Sequence, residues 1–294
     1  MLGWGELADV VLVRDRHARQ REANSPLTDS LPALVCDAAG GNMAQALPLA
    51  AYWRLSLFAA QTFDDLQDGQ ARTEIWGSFT PSQRLTAGLF ALGGAQTLLA
   101  QLDVDEQTGR ALSEAFGRTL ALAARAQVET VSTLAAHWSV ADYFRNILLR
   151  TAQLFATICW AGARIVQPRP TQVVLDACYH YGLAIGVMKQ ILDDCGDMLA
   201  EDAPTDLLTG VYTLPIIHLL SQVDAPQHVV LQKILGESRR LSAEEAQTVA
   251  TLVRESGALA WCYTVAQAYR QQALAALKPL AVERAHWLVA YVNP

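Results

Sequence analysis

The sequence predicts an all-α protein, and three observations carry that expectation. Apolar residues recur at three- and four-residue intervals through most of the 294 residues. Alternating strand patterns joined by Asn-Gly or Asp-Gly turns are absent. Polar or small residues, as in "NSPLTDSLP", "GGN" and "QPRP", punctuate one periodic stretch after another. About half of the residues are hydrophobic, so the chain can bury a sizeable core, and no fixed-period repeat divides it. A single domain over 1–294 is expected.

The elements follow in order. "GELADVVLVRDRHARQREA" is amphipathic, with Leu7, Val10, Val11 and Val13 against a charged second half. An apolar helix comes next and is broken at 40–42, before a long helix over about 43–68. "GQARTEIWGSFTP" is a polar loop, and Pro81 suits the first turn of the following helix. Helical patterns continue over about 82–101, 105–136, 140–166 and 171–199. "AEDAPTDLLTG" is expected to be loop, and shorter helices complete the chain. Several helices are apolar nearly all round, which places them at the centre of a bundle.

Charge and cysteine usage narrow the function classes. A net charge of −7 and the lack of Lys/Arg-rich runs argue against nucleic acid as a partner. The five cysteines are scattered and never spaced as a metal pair, so they read as reduced, buried thiols of a cytoplasmic protein. The first twenty residues carry charge too early for a secretory signal, and no apolar run is long enough for a transmembrane segment. The six histidines show no metal-ligand spacing, and "GGAQ" at 93–96 reads as a close helix contact.

Two acidic clusters stand out. "FDDLQD" holds Asp64, Asp65 and Asp68, and "LDDCGD" holds Asp193, Asp194 and Asp197. Spacings of three and four set carboxylates on one helix face, where like charges repel unless a cation lies between them. Clusters of carboxylates without nearby His or Cys select hard cations, and Mg²⁺ shares itself between a few carboxylates and substrate phosphates. Each cluster closes a long apolar helix whose wall would accept a hydrocarbon tail. The chemistry that fits is ionisation of an allylic prenyl diphosphate, with metals neutralising the leaving group and a dry cavity protecting the carbocation. One such motif is weak evidence, because acids at helix ends are commonly just solvated. Two with identical spacing carry the argument.

These motifs resemble those of the trans-isoprenyl diphosphate synthase (polyprenyl synthetase) family. "FDDLQD" looks like its first aspartate-rich motif and "QILDDCGD" its second. "LLRTAQLF" resembles its Lys-Thr segment with Arg150 in the lysine's place and Thr151 kept. "TDLLTGVYTLPI" matches a further stretch through Asp206, Gly210, Thr213, Leu214 and Pro215. The resemblance implies an isoprenoid-synthase bundle, three Mg²⁺ ions and a homodimer. It implies Asp64 and Asp68 as ligands of two Mg²⁺ and Asp193 of the third, with Asp65, Asp194 and Asp197 as outer or water-mediated partners. Arg150 would hold the diphosphate, with Thr151 and Gln190 lining the reacting end.

The departures cluster at the expected isopentenyl diphosphate site. The family's Gly-Gly-Lys-Arg segment reads "PLTDSLP", with Thr28 and Asp29 where cations are expected. Leu57 replaces a histidine, Val211 replaces a lysine, and the Arg-Arg pair is reduced to Arg72. An anion beside Asp29 without a cation is strongly disfavoured. This pattern resembles bacterial pheromone-modifying prenyltransferases, which share the "DDLxD" form and a tryptophan at the position of Trp76, equally a packing residue. Terpene cyclases of this fold likewise need only the allylic pole. A non-catalytic regulatory subunit of a synthase heteromer is the alternative from another class, although such subunits tend to lose the acid clusters.

Three further readings concern the wall and the rim. Lys189 lies one turn before Asp193, either pairing with it or the diphosphate, or packing its stem and snorkelling. Ala59, Ala60 and Ser56 lie below Asp64 as candidate lining of a tail pocket, with Tyr52 and Trp53 as its floor. Eleven helical residues give a depth of roughly 16 Å, matching a C15 to C20 chain; ordinary core packing is the competing reading.

Overall fold

A computed structural model describes residues 30–67, 79–132, 138–222, 231, 234–235 and 241–293. Among them the regular structure is helical, with no strand. The chain divides into two compact units, Met1–Glu114 with Ile158–Cys178 and Lys278–Pro294, and Ala115–Thr157 with Tyr179–Leu277. No helix among the described residues is long and apolar enough to cross a membrane.

In the first unit, α1 (Leu31–Ala38) is apolar and buried, with Pro32 in its first turn where a missing N–H costs nothing. It stops at Gly40, whose φ of 101° lies in the left-handed region open to glycine. Gly41 passes so close to Cys36 that a Cβ there would lie 2.7 Å from its Sγ. A 3₁₀ turn, Met43–Ala46, follows under an Asn42–Gln45 capping box. It leads into α2 (Leu47–Gln67), the helix expected over 43–68. α3 (Pro81–Ala100) begins with the Thr80–Gln83 capping box and Pro81 in its first turn, as expected.

α2 and α3 fit by size complementarity. α3 turns Ala87, Gly88, Ala91 and Ala95 inward, and α2 brings Leu55, Phe58, Ala59 and Phe63 against them. A Cβ on Gly88 would meet the Phe63 ring at 2.6 Å, so the ring occupies the space that glycine leaves. The "GGAQ" expectation holds through Gly94 and the buried Ala95 but not at Gly93. Gly94 lies against Leu55, while Gly93 has nothing within 4 Å of where its Cβ would stand.

α4 (Glu106–Ser132) starts in the first unit. Its first turn is held by Asp105, whose carboxylate accepts from the Thr108 amide at 2.9 Å and hydroxyl at 2.8 Å.

In the second unit, α5 (Val140–Ile147) is opened by the Ser139–Asp142 capping box. A π turn, Leu148–Ala152, joins it to α6 (Gln153–Arg164). The continuous helix expected over 140–166 is therefore interrupted at the segment that carries Arg150 and Thr151. A widened turn of this kind inserts a residue without ending the helix, which periodicity cannot register. α7 (Gln172–Leu199), like α6, has one end in the first unit; within the second, a Cβ on Gly182 would lie 2.3 Å from the Phe155 carbonyl oxygen. α8 (Thr205–Thr209) is one turn inside the segment expected to be loop, closed by Gly210 at φ 83°. Asp197 makes that turn possible, because its carboxylate accepts from the Thr205 and Asp206 amides at 3.2 and 3.1 Å.

α9 (Leu214–Gln222), α10 (Ala243–Glu255) and α11 (Ala258–Ala276) complete this unit. α12 (Val282–Tyr291) belongs to the first. There Arg284 donates to the carbonyls of Asp37 and Gly41 at 3.1 and 3.2 Å, satisfying the end of α1. All five cysteines are free and buried, as expected.

Candidate active site

The first aspartate cluster ends α2. Asp64 is half-buried and Asp65 is 2 % exposed. Asp68, Arg72, Trp76, Thr28 and Asp29 lie outside the described residues. Below the aspartates, α2 turns its candidate lining residues in different directions. Ala59 is fully buried with Phe58 against Ala87 and Ala91. Ala60 is exposed, and Ser56 and Leu57 are half-buried. Ala59 is thus part of the α2–α3 contact, whereas Ala60 faces away from it and the Ser56 Oγ is buried. Tyr52 and Trp53 are buried lower down. Burial pushes the Tyr52 phenol up to about 12, against opposing hydrogen bonds with Ser56 and Gln96.

The second cluster ends α7, and its three aspartates have three different surroundings. Asp193 is exposed. Asp194 is 3 % exposed and faces inward. Asp197 caps α8 through two backbone amides. Helix geometry separates Asp193 from Asp194, which project about 100° apart, while Asp197 shares the Asp193 face and differs through the turn that follows it.

Asp194 is the centre of a hydrogen-bonded chain. Tyr143 on α5 donates its hydroxyl to Oδ2 at 2.6 Å. Gln190, one turn earlier on α7, donates Nε2–H to Oδ1 at 2.9 Å. Gln190 Oε1 in turn accepts from the Thr151 hydroxyl at 2.7 Å, on the π turn. Burial pushes the Asp194 carboxyl up to about 6, opposed by the Tyr143 and Gln190 hydrogen bonds and by the Arg150 charge, and reinforced by Asp193. Burial likewise drives the Tyr143 phenol well above its ordinary range, with the Asp194 charge adding to it.

Arg150 sits on the same π turn, half-buried, and donates to Gln127 Oε1 at 3.2 Å. Lys189 is half-buried one turn before Asp193. The close approach of α6 and α7 builds this arrangement. A Cβ on Gly186 would lie 2.6 Å from Ala152 Cα, so the absent side chain lets the Thr151 turn come within reach of Gln190. Sequence reasoning named Arg150, Thr151, Gln190 and Asp194 but missed Tyr143. The available signal was its position seven residues before Arg150, two turns away on one face.

The donor set contains only carboxylate oxygens, which suits a hard cation. Among the described residues no group of three His, Cys, Asp or Glu side chains forms a metal cluster. Carboxylate oxygens are the donors that a hard divalent cation takes, so the residue types present fit such an ion.

Comparison with known proteins identifies the fold and the family. All-trans-nonaprenyl-diphosphate synthase (geranyl-diphosphate specific) of Rhodobacter capsulatus is 26% identical over 252 residues, 81% of this chain and 74% of that protein. Geranylgeranyl pyrophosphate synthase from Lactobacillus brevis shares the fold with a TM-score of 0.80 at 23% identity, covering 100% of this chain and 90% of that one. Polyprenyl synthase from Caulobacter crescentus, solved with calcium and isoprenyl diphosphate, matches at a TM-score of 0.70 and 24% identity, covering 96% of each chain. The fold is that of the all-α isoprenyl synthases, and the class is prenyltransferase. A family model described as polyprenyl synthetase matches residues 46–253. The chain belongs to the polyprenyl synthetase family.

Proposed function

We propose that this prenyltransferase ionises an allylic prenyl diphosphate of C15 to C20 length, with its isopentenyl diphosphate site reduced. The observation that carries the reading is the Thr151–Gln190–Asp194 chain beside the exposed Asp193. It sets the uncharged oxygens of Thr151 and Gln190 and the exposed Asp193 carboxylate at one end of α7, next to the Arg150 guanidinium on the π turn. By the family's motifs, Asp64 and Asp68 would be the Mg²⁺ ligands of the first cluster and Asp193 that of the second, and the ion would supply charge neutralisation as the C–O bond breaks. Arg150 and Arg72 bind the diphosphate, with Lys189 adding a cation at the rim. Thr151 and Gln190 present oxygen dipoles to the developing allylic cation. Asp65, Asp194 and Asp197 support these groups from behind. The hydrocarbon lies along Ser56, Leu57 and Ala60.

Leu57 and Val211, both half-buried and apolar, favour a second reading in which no second diphosphate is bound. The cation is then captured by the substrate's own double bonds, as in a terpene cyclase, or by another acceptor. One assay separates these outcomes. Purified protein, Mg²⁺ and farnesyl or geranylgeranyl diphosphate are incubated with and without isopentenyl diphosphate, and products are identified by mass spectrometry. Turnover without isopentenyl diphosphate is the expected result, and a hydrocarbon or terpene alcohol supports cyclisation. A longer prenyl diphosphate formed only with isopentenyl diphosphate overturns the reduced-site reading. No turnover, with Asp64→Ala indistinguishable from wild type in Mg²⁺ binding, assigns a non-catalytic subunit. Sedimentation tests the homodimer.

A further inference from the structure

Tyr143 touches none of the residues proposed to bind metal or diphosphate directly, yet through Asp194 it ends the chain of bonds that reaches the reacting end. Its ring is 2 % exposed and lies edge-on to Phe144, with centroids 5.4 Å apart. Phe144 is itself stacked on Tyr269 of α11 at 5.9 Å. One turn further along α5, Asn146 donates to the Ala126 carbonyl at 2.9 Å and the Thr130 hydroxyl at 3.0 Å, both on α4. α5 is therefore pinned on two sides, and the Tyr143 hydroxyl has a fixed position.

That hydroxyl decides the geometry of Gln190 at one remove. Donation to Asp194 Oδ2 orients the carboxylate so that Oδ1 faces Gln190. The carboxylate then selects one of the two amide orientations. A flipped amide would put its carbonyl oxygen against Oδ1 at hydrogen-bond distance and lose the donor to it. With Nε2 committed to Asp194, Oε1 is turned to Thr151. We propose that Tyr143 is a positioning residue for the prenyl transfer site, locking the Gln190 amide through Asp194 so that its carbonyl, together with the Thr151 hydroxyl, faces the reacting carbon in one orientation. This rests on the reading above in which Gln190 and Thr151 line the reacting end.

Tyr143→Phe removes the hydroxyl and leaves the ring packing. The expected result is a fall in kcat of about tenfold, while KM for the allylic diphosphate and half-saturation by Mg²⁺ stay within about twofold. A residue that only stabilises the fold would lower the unfolding midpoint without that split. Gln190→Leu removes the amide that Tyr143 acts through. Tyr143→Phe should therefore have no further effect on kcat in the Gln190→Leu background. Independent, multiplicative losses overturn the proposal, as does a rise in KM at unchanged kcat. Crystal structures of wild type and Tyr143→Phe provide an arm that needs no turnover. Gln190 is expected to lose its bond to Thr151 or to change amide orientation in the variant, with α5 and α7 unmoved. A Gln190–Thr151 contact unchanged from wild type overturns the positioning role. If wild type turns over no allylic diphosphate, the proposed function fails and the crystallographic comparison still decides the role of Tyr143.

Discussion

Gly182→Ala adds a single methyl group where α7 lies on α6, and the structure gives both sign and size of its effect. The new Cβ would stand 2.3 Å from the Phe155 carbonyl oxygen and 2.7 Å from Ala156 Cα, against 3.4 Å for ordinary contact. Both obstacles are backbone atoms, so no side-chain rotation relieves them, and the helices must part by about 1 Å or distort. Overpacking of this kind costs about 3 kcal/mol at the upper end, and replacing a helical glycine by alanine returns about 1 kcal/mol. The net loss is about 2 kcal/mol, a substantial share of the stability of a typical domain.

Gly93→Ala is the matching control, since nothing lies within 4 Å of its Cβ position on α3. It should gain about 1 kcal/mol. Urea unfolding at unchanged m-value measures both. Parting α6 from α7 also lengthens the Thr151–Gln190 bond, now 2.7 Å, so Gly182→Ala should lower kcat in the folded enzyme. A Gly182→Ala midpoint at or above wild type refutes the close-approach argument, and so does a Gly93→Ala midpoint that falls alongside it.

Three further outcomes are expected. Asp197→Ala should destabilise by about 1 kcal/mol and speed amide exchange at Thr205 and Asp206, whereas Asp193→Ala should abolish Mg²⁺-dependent turnover in a steady-state assay. The Thr108 hydrogen bonds hold Asp105 below its ordinary 3.8; a depressed carboxyl contributes stability above 3.8 that is lost as pH falls through the lower folded value, so Asp105→Asn should flatten the acid limb of a midpoint-versus-pH curve. Thr119 and Thr157 share a buried 2.8 Å hydrogen bond, so either Thr→Val variant should lose about 1–2 kcal/mol by stranding its partner, and the double variant should recover part of that loss in thermal unfolding.

Helix positions were legible because they depend on local periodicity and punctuation. Pro81 after Thr80 and the apolar run before Asp64 mark their elements without help from distant residues. The oxygen-only character of both acid clusters is likewise written in residue type and spacing, and the prenyltransferase class followed from the resemblance of the motifs around them to those of a known family. What the three aspartates of "DDCGD" each do is not, because their partners come from elsewhere in the chain. Asp194 is buried under Tyr143, 51 residues away, and Asp197 is occupied by a turn that follows it by eight residues. Asp193 is left facing solvent. The π turn at Arg150 and the opposite fates of Ala59 and Ala60 have the same origin. Sequence spacing sets which residues share a helix face, but packing against another helix decides which face is covered and which stays open for a ligand.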